Sequence, residues 1–453
     1  MFPLPQMKGT TVRVLGLGPA GRAAAEALRA AGAKVSVWDD DASRREAASF
    51  TVKGPRASLD GLDAIVLCDG GVSGGAKIVL PRAKAQRIAI LTDLDLFSST
   101  IESLPSRERP RVVGVTGAAG KTVTATLIAR AVEANGSKAV LGGGGIAPCL
   151  SLPAPEAGMT YIVELPVARL AAARRFRCDV SVMLSLGPCG EMDGFDAALR
   201  AVMRLFRQHQ HGDAAVISVD DGIGLKVCTA LQSGDAAKVG RARVIPASGE
   251  ASLGHGVFAL EGLAFSSREG KTHAVGDFTR VGALSGKHLN QDAAAAIAAS
   301  LALDVPPQLI IKALHRYKGL EGRFQALGSE GSVLFVDDHR ARLPVSVGLA
   351  IDSCPDVFWI GQAAGASLKG AHPTLRAAYL FGPGEARGGI EVPCSRFDNL
   401  GAALEAARRD AQALARGEPH CAPVVLFSPG GPANAQEFRE LLGNGIEKAV
   451  QHG

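Results

Sequence analysis

Aromatic side chains are scarce in this 453-residue chain: Phe, Trp and Tyr together make up 5%. The net charge is a mild +5, and no block of Lys and Arg with interleaved aromatics occurs. A nucleic-acid-binding surface needs a concentrated basic stripe and stacking rings, so binding of nucleic acid is not expected. Cysteine is present but unpatterned. None of Cys68, Cys149, Cys178, Cys189, Cys228, Cys354, Cys394 and Cys421 stands in a C-x-x-C pair, which argues against a zinc site and a disulfide framework. Cys189 has no histidine beside it to act as a base, so an inert thiol is expected there. Long apolar runs are missing: the Ala-rich stretch 293–303 is too short to span a bilayer. The opening Met1-Phe2-Pro3-Leu4-Pro5 lacks a charged segment followed by an apolar core. No signal peptide is expected, and a reducing cytoplasm is.

What is there is a globular α/β chain. Apolar residues make up 47% and charged residues 21%, and the length calls for two to four domains. Short apolar runs at 11–15, 34–38, 64–68 and 88–91 alternate with helical patterns such as 22–31, which predicts a parallel α/β unit over 1–107. The polar, proline-flanked stretch 103–110 reads as a linker. A second, larger α/β unit follows over 108–321, with strands at 111–115, 161–165, 180–184 and 214–219 and helices at 123–134, 292–302 and 307–314. Within it, the turn-rich stretch 240–283 predicts a small antiparallel insertion. A third α/β unit covers 322–453, with strands at 333–336, 357–360, 378–381 and 424–427 and a helix at 399–416.

Two glycine clusters carry the chemistry. Gly16-Leu17-Gly18-Pro19-Ala20-Gly21 sits between a strand and a helix, with Asp39 and Asp40 some twenty residues on. Such glycines permit a tight turn and bring a diphosphate to the helix N-terminus. A dinucleotide site, a UDP-type site and a ligand-free packing turn all fit this loop. A nicotinamide oxidoreductase would rest on it alone and leave the second loop unexplained. That second loop, Thr116-Gly117-Ala118-Ala119-Gly120-Lys121-Thr122, is more specific. Its backbone N–H groups would cradle phosphates, Lys121 would reach the terminal phosphates of ATP, and the Thr122 hydroxyl would ligate Mg²⁺.

In their order and spacing the two loops resemble the Mur ligase family, most of all its D-glutamate-adding branch. Further stretches carry the resemblance over nearly the whole chain: Asp93-Leu94-Asp95-Leu96-Phe97, Glu164-Leu165, Asp220-Asp221, Gly286-Lys287-His288, Gly319-Leu320 with Arg323, Asp338 with Ala341, and Ser428-Pro429. The resemblance implies three domains. They are a UDP-substrate-binding Rossmann-like domain at 1–107, a central ATP-binding P-loop domain at 108–321 and an amino-acid-binding Rossmann-like domain at 322–453. It implies an ATP-dependent, Mg²⁺-requiring amide ligase of peptidoglycan precursor synthesis, acting through an acyl phosphate and working as a monomer with possible contacts to other Mur enzymes. By resemblance, Lys121, Glu164 and Glu191 are catalytic, and Thr122, Glu164 and Glu191 hold the metal. Residues 116–122, Arg323 and Asp338 bind ATP, while Gly16, Leu17, Gly18, Asp39 and Asp40 surround the UDP of a UDP-muramoyl substrate. Arg340, Arg342 and Ser428 would meet an acidic amino acid.

The chain also departs from the pattern. The family's metal-binding His is replaced by Glu191, an oxygen ligand that suits Mg²⁺. Its carbamylated lysine falls at Met203. Its substrate loop reads Gly143-Gly144-Gly145-Ile146-Ala147, the two serines after Glu-Leu become Pro166 and Val167, and the amino-acid site reads His339-Arg340-Ala341-Arg342. A second expectation follows: an altered relative that binds nucleotide or a Mur partner without ligase activity. Of the remaining polar residues, His209-Gln210-His211 reads as a solvated helix end, and His288 as either a substrate-orienting or a packing residue. Asp193 reads as a helix cap or a metal support, and Asp337-Asp338 as a turn or a site.

Overall fold

The computed structural model describes residues 1–68, 74–186, 195–233, 242–366, 368, 371–385, 390–418, 420–431, 434–443 and 447–448. Three sheets organise them. The first holds β1 (Thr11–Leu15), β2 (Lys34–Trp38), β3 (Thr51–Val52), β4 (Ala64–Leu67) and β5 (Ala89–Thr92), all parallel in the order β3-β2-β1-β4-β5. The helix Pro19–Ala30 starts with proline in its first turn, where no N–H is needed. It lies hard against the loop before it: a Cβ on Gly21 would sit 1.8 Å from the Gly16 carbonyl oxygen. The helix Asp93–Glu102 starts with a reciprocal cap. The Asp95 backbone N–H donates to Thr92 Oγ1 (3.1 Å) and the Thr92 N–H to Asp95 Oδ2 (2.8 Å).

The second sheet has nine strands: β6 (Arg111–Thr116), β7 (Ala139–Gly143), β8 (Thr160–Glu164), β9 (Val180–Met183), β10 (Ala214–Ser218), β11 (Arg243–Ser248), β12 (Gly256–Leu260), β13 (Leu263–Arg268) and β14 (Lys271–Asp277). Their order is β14-β13-β12-β11-β10-β9-β6-β8-β7. The stretch 240–283, expected as a small antiparallel insertion, holds β11–β14 and adds to the edge of this sheet. β11 pairs parallel with both β10 and β12, and the β12–β13 and β13–β14 pairs are antiparallel. A lone three-stranded ribbon could not bury its own faces. Joined to the sheet edge, β11 and β12 lie under the helix Lys287–Ala302. That helix is Ala-rich because it is enclosed, with every residue from 289 to 300 buried.

The third sheet holds β15 (Gln325–Glu330), β16 (Val333–Asp337), β17 (Asp356–Gln362), β18 (Leu375–Phe381), β19 (Cys394–Phe397), β20 (Pro423–Phe427) and β21 (Glu447–Lys448), in the order β19-β18-β17-β20-β16-β15-β21. It is parallel except for β15, which runs antiparallel to β16 and β21. Its two faces have their own cores. The first and second sheets, by contrast, share one core, in which Phe2, Phe97, Tyr161 and Phe176 meet. Ring centroids there lie 4.8 Å (Phe2–Phe97), 5.2 Å (Phe97–Tyr161) and 6.4 Å (Phe97–Phe176) apart. Among the described residues, no helix is long and apolar enough to cross a membrane.

Candidate active site

The phosphate loop joins β6, an interior strand of the second sheet, to the helix Lys121–Ala134. Two glycines make that turn possible. Gly117 has φ +137° and Gly120 φ +78°, backbone conformations that side chains resist. Gly120 is needed for space as well, since a Cβ there would lie 2.0 Å from Asp292 Oδ1. Residues 118–122 line a cleft of about 430 Å³ that also takes in Glu164, His288, Asp292, Arg323 and Asp338. Thr116 and Gly117 do not line it. The Thr116 hydroxyl is buried and donates to the Leu165 carbonyl (2.8 Å), tying β6 to the end of β8. The hydroxyl thus braces the strand beneath the loop.

Lys121 and Thr122 are already engaged. Lys121 Nζ donates to the carbonyls of Gly117 (2.6 Å) and Ala118 (3.1 Å), so the ammonium is held over its own loop. Arg323 Nη2 donates to Thr122 Oγ1 (3.1 Å). A guanidinium can only donate, so the hydroxyl accepts there and keeps its proton for Glu164. Glu164 ends β8 and is 4% exposed, and its Oε1 is sealed from solvent with no hydrogen-bond partner among the described residues. Burial raises its pKa, while Thr122, Lys121 and Arg323 pull it down. A buried, half-satisfied carboxylate beside a threonine hydroxyl suits a hard cation, which takes oxygen ligands. Gly144 completes this corner, because a Cβ there would lie 2.2 Å from Glu164 Oε2.

Asp338 is spent on structure. Its Oδ1 accepts from the Phe324 backbone N–H (3.0 Å) and its Oδ2 from Ser428 Oγ (3.1 Å), and burial lifts its pKa to about 7. Ser428 is fully buried and does not line the cleft. Its hydroxyl meets the cleft through Asp338. Arg340 and Arg342 stand exposed at the cleft mouth. His288 both packs and faces the site. Its ring meets Phe324 edge-on at 4.9 Å, and its Nδ1 pairs with Ser353 Oγ. That hydroxyl gives its own proton to the Leu349 carbonyl (2.7 Å), so Nδ1 carries the imidazole proton and Nε2 is left as an acceptor. Burial lowers the His288 pKa to about 4.

The residue that pattern reading missed is Asp292. It is 2% exposed, lies under Gly120, and is pushed up to about 7 by burial against the opposing pull of Arg323 and Lys121. A lone acid inside an alanine-rich helix was the available signal. His209 is also corrected. Instead of a solvated helix end, it is 5% exposed, with neither ring nitrogen bonded among the described residues. Among the described residues, no cluster of three or more His, Cys, Asp and Glu could hold a metal. Glu191, Cys189 and Asp193 lie outside the described residues. Met203 is half-buried against the shared core of the first two sheets.

The first glycine loop borders a second cleft, of about 340 Å³, lined by Gly16, Trp38, Asp39, Asp40 and Arg44 among others. Asp39 accepts from the Leu17 N–H (2.6 Å), and Asp40 accepts from the Gly75 N–H (2.9 Å) and Trp38 Nε1 (3.1 Å). Leu17 turns its side chain into the core and Gly18 caps the helix, so neither lines this cleft. A third cleft, of about 510 Å³, lies between the first and second sheets. It shares Gly144, Gly145 and Pro166 with the phosphate-loop cleft.

No family model matches the sequence. Among solved structures, MurF from Acinetobacter baumannii is similar with a TM-score of 0.53 at 16% identity, covering 88% of this chain and 93% of that one. MurC from Thermotoga maritima has a TM-score of 0.52 at 15% identity, with 95% and 98% covered. These likenesses concern the fold. Sequence relatives go further. The UDP-N-acetylmuramoylalanine–D-glutamate ligase of Caulobacter sp. (strain K31) is 31% identical over 458 residues, 95% of this chain and 93% of that protein. Its counterpart in Phenylobacterium zucineum (strain HLK1) is 32% identical over 475 residues, 100% and 98% respectively. With end-to-end identity at that level, three α/β sheets and a phosphate loop facing Glu164, the chain belongs to the UDP-N-acetylmuramoylalanine–D-glutamate ligase family, the ATP-dependent amide ligases of peptidoglycan precursor synthesis.

Proposed function

We propose that this chain joins D-glutamate to UDP-N-acetylmuramoylalanine in the cytoplasm, using ATP and Mg²⁺. The observation that carries this reading is the meeting of Lys121, Thr122, Glu164 and Arg323 in one cleft that opens, at Gly144, Gly145 and Pro166, into a second. ATP in the first and the acceptor in the second would meet at Glu164. The acceptor carboxylate takes the γ-phosphoryl group, and the amine of glutamate then displaces phosphate from the acyl phosphate. Negative charge grows on the transferring oxygens, and Lys121 and Arg323 are the cations available to stabilise it. Lys121 must first leave the carbonyls of Gly117 and Ala118. Mg²⁺ held by Thr122 and Glu164 would neutralise part of the phosphate charge. Residues 118–122, Asp338 and Phe324 would wall the nucleotide, with Arg340 and Arg342 at the mouth to meet the glutamate carboxylates. Gly16, Asp39 and Asp40 would surround the uridine end of the acceptor.

The test is phosphate release from Mg-ATP with and without each of the other two substrates. Release that needs both, with formation of the amide, is expected. Lys121→Ala is expected to lower turnover by about 10²–10³-fold, the usual effect of losing one preorganised charge partner of the transition state. Release without the amino acid, or none at all while ATP binds, would sink the reading.

A further inference from the structure

Three carboxyl groups, Glu164, Asp292 and Asp338, line the phosphate-loop cleft beside Lys121 and Arg323, with Arg340 and Arg342 exposed at its mouth. Arg323 is shared, since all three carboxyls act on its charge. Asp338 is bonded to Phe324 and Ser428, and Glu164 faces the Thr122 hydroxyl. Asp292 lies directly beneath the loop, where a Cβ on Gly120 would come within 2.0 Å of its Oδ1 and 2.9 Å of its Oδ2. Burial pushes it up to about 7 against the pull of the Thr124 hydroxyl, Arg323 and Lys121. Among the described residues, the other elements packed on the helix Lys287–Ala302 bring it no further charge. β9, β10 and β12 carry no ionisable side chain. Glu133, Arg243, Lys312, His315 and Asp352 are exposed, and Arg130 lies over the Tyr317 ring at 5.7 Å. Tyr317 is raised by burial and by the Asp292 charge, so it keeps its proton. His288, one turn earlier on the same helix, is lowered by burial and stays neutral.

We propose that ATP binding by this chain takes up a proton at Asp292, so that nucleotide affinity falls as pH rises through the neutral range. The assignment rests on the ATP site proposed above and adds a pH-dependent coupling to it. When phosphates enter the loop, Lys121 and Arg323 turn to a polyanion and no longer serve the carboxylate below. A charged Asp292 would then place like charge on the far side of a thin glycine turn, where little water screens it. The neutral acid removes that repulsion. The proton passes from the buffer to a carboxylate oxygen of Asp292, up to one for each ATP bound.

Calorimetry on the full chain reads this without turnover. Mg-ATP is titrated at pH 6, 7 and 8 in buffers of different ionisation heat. The wild type is expected to bind about tenfold more weakly at pH 8 than at pH 6, because the protonated, competent fraction falls to about one tenth one unit above the pKa. The heat at pH 8 should vary with the buffer as for uptake of nearly one proton. Asp292→Asn should bind equally well at pH 6 and pH 8 and lose that buffer-dependent part; any proton that Mg-ATP itself exchanges is common to both proteins. Thr124→Val removes a hydroxyl that favours the charged acid, so its affinity should begin to fall at a higher pH than in the wild type. A wild-type affinity independent of pH would overturn the proposal. So would a pH dependence that survives Asp292→Asn, or a fall that begins no later in Thr124→Val. A wild-type chain that binds no ATP at any of the three pH values would instead sink the ATP-site reading itself.

Discussion

At the scale of single residues, the buried titratable groups set the response to pH. His209 is pushed down to about 4, mainly by burial and further by the Arg177 charge. A histidine with a lowered folded-state pKa holds its full contribution above about 6.5. The contribution is lost as pH falls toward 4, because the unfolded chain takes up a proton that the folded one refuses. The loss is at most about 3 kcal/mol. Urea unfolding between pH 7 and 4.5 should show a steeper fall for the wild type than for His209→Phe; parallel curves would refute it. Asp292 has the opposite sign. Its raised pKa, about 7, means that stability is lost as pH climbs from the ordinary carboxylate range through 7. Asp292→Asn should therefore raise the thermal midpoint at pH 8 and leave it nearly unchanged at pH 4. Met203 offers no amine, so withdrawal of bicarbonate should leave turnover unchanged. A fall in rate without bicarbonate would point to a carbamate on another residue.

At the scale of elements, the phosphate loop tolerates little change. Gly120→Ala would combine a positive φ with a Cβ 2.0 Å from a buried carboxylate oxygen. ATP affinity is expected to drop at least about tenfold while circular dichroism stays native, a shift of about 1.4 kcal/mol or more. Retained affinity would show that the loop and the helix Lys287–Ala302 move apart freely. This loop was legible in the sequence because its signals are local: a β run, spaced glycines, then Lys-Thr. The same holds for the first glycine loop and for most strands. Short antiparallel strands over 240–283 were legible, but their continuation of the central sheet was not, since alternation within a strand does not name its neighbour. The hydroxyls of Thr116 and Ser428 illustrate a related limit. A motif gives residue type and spacing, but not whether a hydroxyl turns toward the cleft or toward the nearest carbonyl.

At the scale of the molecule, the first and central domains are joined as one body and the third is separate. Besides the aromatic cluster, Asp95 Oδ1 accepts the N–H groups of Arg174 (2.8 Å) and Arg175 (2.7 Å), and Ser98 Oγ accepts that of Arg177 (3.0 Å). The third domain has its own cores and reaches the central one through Arg323–Thr122 and the contacts of His288 with Phe324 and Ser353. Phe97→Ala should cost about 3–5 kcal/mol. It should lower the unfolding midpoint of the first two domains together, with the third domain's transition unmoved; calorimetry reads this. Separate transitions for the first and central domains would contradict the shared core.

What the sequence alone determined is what short-range chemistry fixes: α/β alternation, two glycine turns and a lysine and threonine at the start of a helix. Only the tertiary structure decided which distant groups meet. Arg323 comes to Thr122, Asp292 to Gly120 and Asp93 to Arg169, across separations in the chain that no local pattern encodes. Burial then decided how those groups behave, because a charge's cost depends on the water removed from it, and that is a property of the packed molecule.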